Sequence, residues 1–180
     1  TGYVGEITQA PLTVDNAKAN NKVYDGLTNA VISMANATTN GVIPGDNVQV
    51  SNLAGWFATP GAGTNISVTA ALTLTGADSG NYTLTQPAGL AAEIWQAPLT
   101  ASLVPTISKV YDGNTNATIV PTNYAFVGLI SGEPCTVNQA PGAYESKDVG
   151  TNIMVTVTLV SSNFEIYGSS GFLTDRKSVV

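Results

Sequence analysis

Two aspartates are the groups most suited to chemistry, because each sits in a phrase that the chain writes twice. Asp25 lies in Lys22-Val23-Tyr24-Asp25-Gly26-Leu27-Thr28-Asn29-Ala30, and Asp112 lies in Lys109-Val110-Tyr111-Asp112-Gly113-Asn114-Thr115-Asn116-Ala117, 87 positions later. A carboxylate held in such a phrase could ligate calcium or contact a sugar. Calcium wants several oxygen ligands from clustered carboxylates, and the acids here are scattered singly. Asp before Gly also has a purely structural use, because Gly accepts positive φ and Asp caps the turn locally. On that reading Tyr24, Asp25 and Gly26, with Tyr111, Asp112 and Gly113, form a strand end and hairpin turn that mark the period of a repeat.

Other reactive types are sparse. The chain has no histidine, which removes the commonest general base, the usual Ser and Cys triads and most zinc sites. We assign no catalytic residue, no cofactor and no metal ligand. Cys135 aligns with Val48 on an expected strand and reads as a small buried apolar side chain. Glu6 and Glu93 place one acid at each junction between repeats, too few for a calcium site. Trp56, Trp95 and Tyr144 could serve as stacking platforms for a carbohydrate. The competing expectation buries Trp56 with Phe57 in the core and wedges Trp95 at a junction.

The elements that would position these groups follow from the repeat. Glu6-Ile7-Thr8-Gln9-Ala10-Pro11-Leu12-Thr13 returns as Glu93-Ile94-Trp95-Gln96-Ala97-Pro98-Leu99-Thr100, and Gly63-Thr64-Asn65-Ile66 returns as Gly150-Thr151-Asn152-Ile153. Three matched pairs at one offset mean a tandem repeat. We therefore expect residues 1–9 to be the end of a preceding repeat and its linker, 10–95 a first β-sandwich repeat, and 96–174 a second, C-terminally truncated one. Each is long enough to bury its own modest core.

Composition fits that division. Only 10% of the 180 residues are charged and 43% are apolar, the polar remainder being mostly Thr, Asn, Ser and Gly. Such a mixture suits strands joined by tight turns. The formal charge of −6 and the lack of a basic cluster before the last few residues argue against a nucleic-acid partner. No apolar run approaches the length that spans a bilayer, so no membrane insertion is expected of this fragment.

Period-two alternation predicts the strands. Leu12-Thr13-Val14 alternates, and so does Ile66 to Leu74, whose even-numbered residues are apolar. Ile153, Val155, Val157 and Leu159 repeat the pattern in the second copy. One oily and one hydroxylated face imply an antiparallel sheet with one side on the core. Asp78-Ser79-Gly80-Asn81-Tyr82 resembles the tyrosine corner of immunoglobulin-like sandwiches. Its counterpart is Ser161-Ser162-Asn163-Phe164, where the aromatic anchor remains and the hydroxyl is lost. The expected fold class is all-β, as tandem immunoglobulin-like antiparallel β-sandwich repeats.

The order Lys-Val-Tyr-Asp-Gly-x-Thr, Gly-Asp-x-Val, Gly-Thr-x-Ile and Gly-Ala-Asp-Ser-Gly-Asn-Tyr-Thr-Leu resembles the YDG repeat of large bacterial surface proteins of the filamentous haemagglutinin type. The resemblance runs from about residue 11 to 167. The second copy departs at Gly132-Glu133-Pro134-Cys135, which replaces Gly45-Asp46-Asn47-Val48, and in the eroded Asp-Ser-Gly-Asn-Tyr element. The resemblance implies a non-enzymatic module of a secreted or cell-surface adhesin, serving as stalk, spacer or adhesive element. Its partners would be neighbouring repeats and a host or environmental glycan or protein. The alternative is a carbohydrate- or glycoprotein-binding module that uses the exposed aromatics.

Asp175-Arg176-Lys177-Ser178-Val179-Val180 breaks the pattern and holds the only arginine. Its codons can be written as a common sequencing adapter, so residues 175–180 are expected to be adapter read-through, which the codons of the genomic locus decide.

Overall fold

The computed structural model describes residues 2, 4–104, 107–130, 138–139, 142–168 and 173–175. It is all-β: short strands form several sheets, and the helical content among the described residues is a pair of single 3-10 turns, Ser79–Asn81 and Pro121–Asn123. The chain divides into two compact units, Thr1–Lys22 with Leu27–Trp95, and Val23–Gly26 with Gln96–Val180.

In the first unit the alternating stretches become strands whose apolar side faces inward. Ala10–Asp15 buries Leu12 completely and Val14 almost so, while Thr13 and Asp15 face solvent. Gly63–Ala70 buries Val68 and Ala70 and exposes Ser67 and Thr69. A three-stranded sheet runs Tyr82–Thr85, Ala10–Asp15, Thr38–Asn40. A six-stranded sheet runs Lys18–Ala19, Asn29–Ser33, Ala54–Phe57, Gly63–Ala70, Leu90–Trp95, Lys22–Val23. The unit's core holds Leu12, Ile32, Phe57, Leu72, Tyr82 and Ile94, all at most 3% exposed.

The second unit repeats the first sheet with the same order: Tyr124–Val127, Ala97–Leu103, Phe164–Gly168. Its larger sheet contains Asn116–Ala117, Gly142–Tyr144, Val155–Val160 and Asn138–Gln139, with Leu173–Asp175 beside Val155–Val160. Leu99, Ala101, Val157, Leu159, Phe164 and Ile166 form its core.

Two expectations are corrected here. The sheets are mixed, because Ala10–Asp15 pairs in parallel with Tyr82–Thr85, and Ala97–Leu103 in parallel with Phe164–Gly168. These partners stand near opposite ends of each unit, and so long a connection permits parallel pairing where a tight turn would not. The Asp-Gly phrase is a turn, with Gly26 at φ +77° and Gly113 at φ +80°, but it closes no hairpin. Asn29–Ser33 returns against Lys18–Ala19, whereas Lys22–Val23 crosses to the opposite edge of the sheet, beside Leu90–Trp95.

A pair of glycines shows how tightly each first strand is held. Gly41 and Gly128 correspond in the repeat and have φ of +98° and +103°. A Cβ on Gly128 would stand 2.7 Å from the carbonyl oxygen of Pro98, and one on Gly41 would meet that of Pro11. Only glycine fits both the left-handed backbone and the close approach. Gly128→Ala is expected to destabilise the second unit by about 1–3 kcal/mol, read by chemical denaturation, whereas Thr100→Ala changes it by under about 0.5 kcal/mol.

Candidate functional site

The repeated lysine does the same work in both units. Lys22 Nζ donates to the Leu27 carbonyl at 2.7 Å and to Asn29 Oδ1 at 3.1 Å, and it stands 5.7 Å from the centre of the Phe57 ring. Lys109 Nζ donates to the Asn114 carbonyl at 2.6 Å, to Asn114 Oδ1 at 3.0 Å and to Asp112 Oδ1 at 2.8 Å, and it stands 5.5 Å from the centre of the Tyr144 ring. Phe57 and Tyr144 occupy one position of the repeat, as do Leu27 and Asn114. The ammonium thus closes the loop after Asp-Gly by binding its carbonyl, which is why the turn needs no cross-strand ladder. Attraction to the ring face holds the same group from below.

The aspartate completes the turn. Asp112 Oδ1 also accepts the Asn114 backbone N–H at 3.2 Å. Lys109 first, and that N–H second, hold its carboxyl below its ordinary value of 3.8. Residues 23–26 pack with the second unit, where the Tyr24 ring meets Phe164 edge-on at 5.4 Å and is 5% exposed. Tyr111, its repeat counterpart, is 58% exposed. Among the described residues, no three or more acids and cysteines gather at metal-binding distance. Cys135 lies outside the described residues.

A second polar cluster lies in the first unit, and sequence reading located only half of it. Tyr82 is buried, accepts the Ile43 backbone N–H at 3.0 Å and donates to the Asp46 carboxylate at 2.6 Å. Asp78 accepts the Asn47 N–H at 2.8 Å and donates its own N–H to the Asn47 carbonyl at 3.2 Å. The tyrosine therefore ties down a loop 39 residues upstream instead of the adjoining turn that the tyrosine-corner resemblance implied. The signal available was co-variation between copies. Where Tyr82, Asp46 and Asn47 become Phe164, Glu133 and Pro134, the hydroxyl and the backbone N–H disappear together. The hydrogen bond to Asp46, then burial, raises the Tyr82 phenol above 10.0.

The proposed stacking aromatics separate. Phe57 is 2% exposed, but Trp56 points the other way and is 53% exposed, so the expectation that the pair fills the core together is corrected. Successive residues of a strand face opposite sides, and only one of the two can enter the core. Trp56 sits opposite Thr69 and Asn29 on a polar sheet face. Trp95 is also 53% exposed and donates its indole N–H to Glu93 at 2.9 Å. Tyr144 stands beneath Lys109, half-buried, with its hydroxyl unpartnered.

The YDG domain matches residues 8–89 and again residues 96–167. The chain belongs to the YDG domain family. No curated protein and no solved structure matches the chain. In this YDG-domain protein the residues that name the family build a turn clamped by lysine.

The pH dependence follows from the two shifted groups. A phenol raised in the fold favours the protonated form, so stability from Tyr82 is full below pH 10.0 and declines above it. A lowered carboxyl acts oppositely: stability from Asp112 is full above 3.8 and falls as pH drops through its lower native value. Thermal melting across pH is expected to show both limbs, with Tyr82→Phe flattening the alkaline one in the first unit and Lys109→Met the acid one in the second.

Proposed function

We propose that these YDG repeats are immunoglobulin-like β-sandwich modules of a secreted or surface-anchored bacterial adhesin of the filamentous haemagglutinin type. They act there as a non-enzymatic spacer or adhesive segment whose constant partners are neighbouring repeats. One observation carries this reading. The groups that recur between copies, Lys22 with Phe57 and Lys109 with Tyr144, are engaged in closing the fold. Recurrence at a structural clamp is what an array of interchangeable modules requires. Exposed hydroxyls such as Ser67 and Thr69 suit a solvent-facing module of low charge. The sandwich reading rests on the recurrence in each unit of a three-stranded sheet, a second, larger sheet, and a buried aromatic at position 82 or 164.

A second reading, a glycan contact, is favoured by Trp56. The second copy carries Ala143 at that position, paired with Asn116 as Trp56 is paired with Asn29. The module therefore folds without the indole, and a half-exposed ring beside Thr69 and Asn29 offers a sugar both a stacking plane and polar groups.

Protease treatment of intact source cells is expected to release peptides of this chain, and their retention inside protease-treated cells would contradict the surface reading. For the glycan reading, array binding should fall about tenfold or more in Trp56→Ala with the melting temperature unchanged. Equal binding by the variant would assign Trp56 no part in it.

A further inference from the structure

An asparagine followed by glycine leaves its side-chain amide open to attack by the next backbone nitrogen, because glycine has no Cβ to shield the approach. The chain contains this pair once, at Asn40-Gly41, and no other asparagine precedes a glycine. Asn40 is exposed and ends the strand Thr38–Asn40. That strand is 3 residues long and lies at the edge of its sheet, beside Ala10–Asp15. The ladder stops with Asn40 opposite Thr13, and Gly41 turns away at φ +98°. The end of a short edge strand opens locally at little cost, which gives Asn40 the freedom that ring closure needs.

The amide's partner gives such a reaction a structural consequence. Asn40 Nδ2 donates to Asp15 Oδ2 at 2.8 Å. The two residues stand diagonally across the strand pair, since Thr13 is opposite Asn40 and Asp15 is opposite Thr38. Both are exposed, while Leu12 and Val14 of the same pair of strands enter the core. The bond lasts as long as position 40 offers a donor. A carboxylate there offers none and sets two like charges against each other.

We propose that Asn40-Gly41 is a self-modification site, whose conversion to aspartate or isoaspartate releases the edge strand Thr38–Asn40 from Asp15. The Gly41 nitrogen attacks Cγ of Asn40. A new C–N bond forms, the Cγ–Nδ2 bond breaks, and ammonia leaves with the proton that the Gly41 nitrogen gives up. Water, the sole co-reactant, then opens the cyclic imide at either carbonyl. Opening at the side-chain carbonyl leaves an aspartyl residue, and opening at the backbone carbonyl leaves an isoaspartyl residue with a longer main chain. Both products exchange the neutral amide for a carboxylate near Asp15. The lengthened chain of the second also shifts Gly41 from its close fit against the Pro11 carbonyl.

The second unit shows that the module folds without this pair. Val127 and Ser102 stand at the corresponding positions, while Gly128 and the pairing of Thr100 with Val127 are kept. The glycine serves the turn, and the amide and its carboxylate partner belong to the first unit alone. Asp25-Gly26 and Asp112-Gly113 can close the same imide by losing water, but reopening returns them to their original mass. Lys109 and the Asn114 N–H moreover occupy Asp112 Oδ1. A gain in mass therefore reports on Asn40 and not on the repeated phrase.

The test ages the full chain in warm, mildly alkaline buffer and maps it by peptide mass spectrometry. Asn40→Gln, Asn40→Asp and the double variant Asn40→Asp with Asp15→Asn are studied beside it. The amide-to-acid mass gain is expected at position 40 ahead of every other asparagine, as separable aspartyl and isoaspartyl products, with Asn40→Gln inert there. Hydrogen exchange at residues 38–40 should quicken about two- to tenfold in aged wild type and in Asn40→Asp. It should slow again in the double variant, where position 15 supplies the donor. An Asn40 that outlasts asparagines not followed by glycine overturns the proposal, and so does Asn40→Asp exchanging at the wild-type rate. Fast exchange that persists in the double variant also overturns it, since the opposed carboxylates would not then be the cause.

Discussion

Each unit depends on an ammonium group held between a turn carbonyl and an aromatic ring. Lys22 does this over Phe57 and Lys109 over Tyr144, at 5.7 and 5.5 Å from the ring centres. The constraint comes from topology. Lys22–Val23 leaves for the far edge of the sheet instead of pairing back on Asn29–Ser33, so the turn between them has no ladder to close it. The exposed carbonyls of this turn, Leu27 in the first unit and Asn114 in the second, take the lysine as their donor. A long cationic side chain reaches them and remains near the ring, and Asp112 with its neighbouring amide completes the closure in the second unit. In the first unit the phrase thereby carries the chain across the sheet.

Much of the fold was legible because period-two alternation dominates it. Leu12 and Val14, Val68 and Ala70, Val157 and Leu159 face the core as the pattern requires. The parallel pairing of first and penultimate strands was not legible, since alternation reports which face is buried and carries no information on strand direction. The partner of Tyr82 was equally hidden: Ile43 and Asp46 are far away in sequence, and an adjoining motif offered a nearer answer. Trp56 was misplaced for a simpler reason. Two consecutive aromatics invite treatment as one cluster, yet on a strand they must diverge, and the repeat itself marks the outer position by placing Ala143 there.

Comparison of the copies separates what the module needs from what it tolerates losing. The lysine, the turn glycine and an aromatic at position 57 or 144 persist. The clamp on the 43–47 loop is not conserved in kind: Phe164 lacks the hydroxyl, Pro134 lacks the N–H and the Asp78 element is shortened away, while Glu133 keeps an acid where Asp46 stands. Phe164 nevertheless keeps the buried ring, 5% exposed, beside the first strand of its unit. Packing is retained where hydrogen bonding is dispensable.

The central claim is that the lysine of the repeated phrase is a structural clamp. A double-mutant cycle on Lys109→Met and Tyr144→Leu, followed by chemical denaturation of the second unit, tests it most directly. The account expects each single change to destabilise and the pair to show a coupling of about 0.5–1 kcal/mol. Additive effects, or a Lys109→Met variant as stable as the parent, would contradict it.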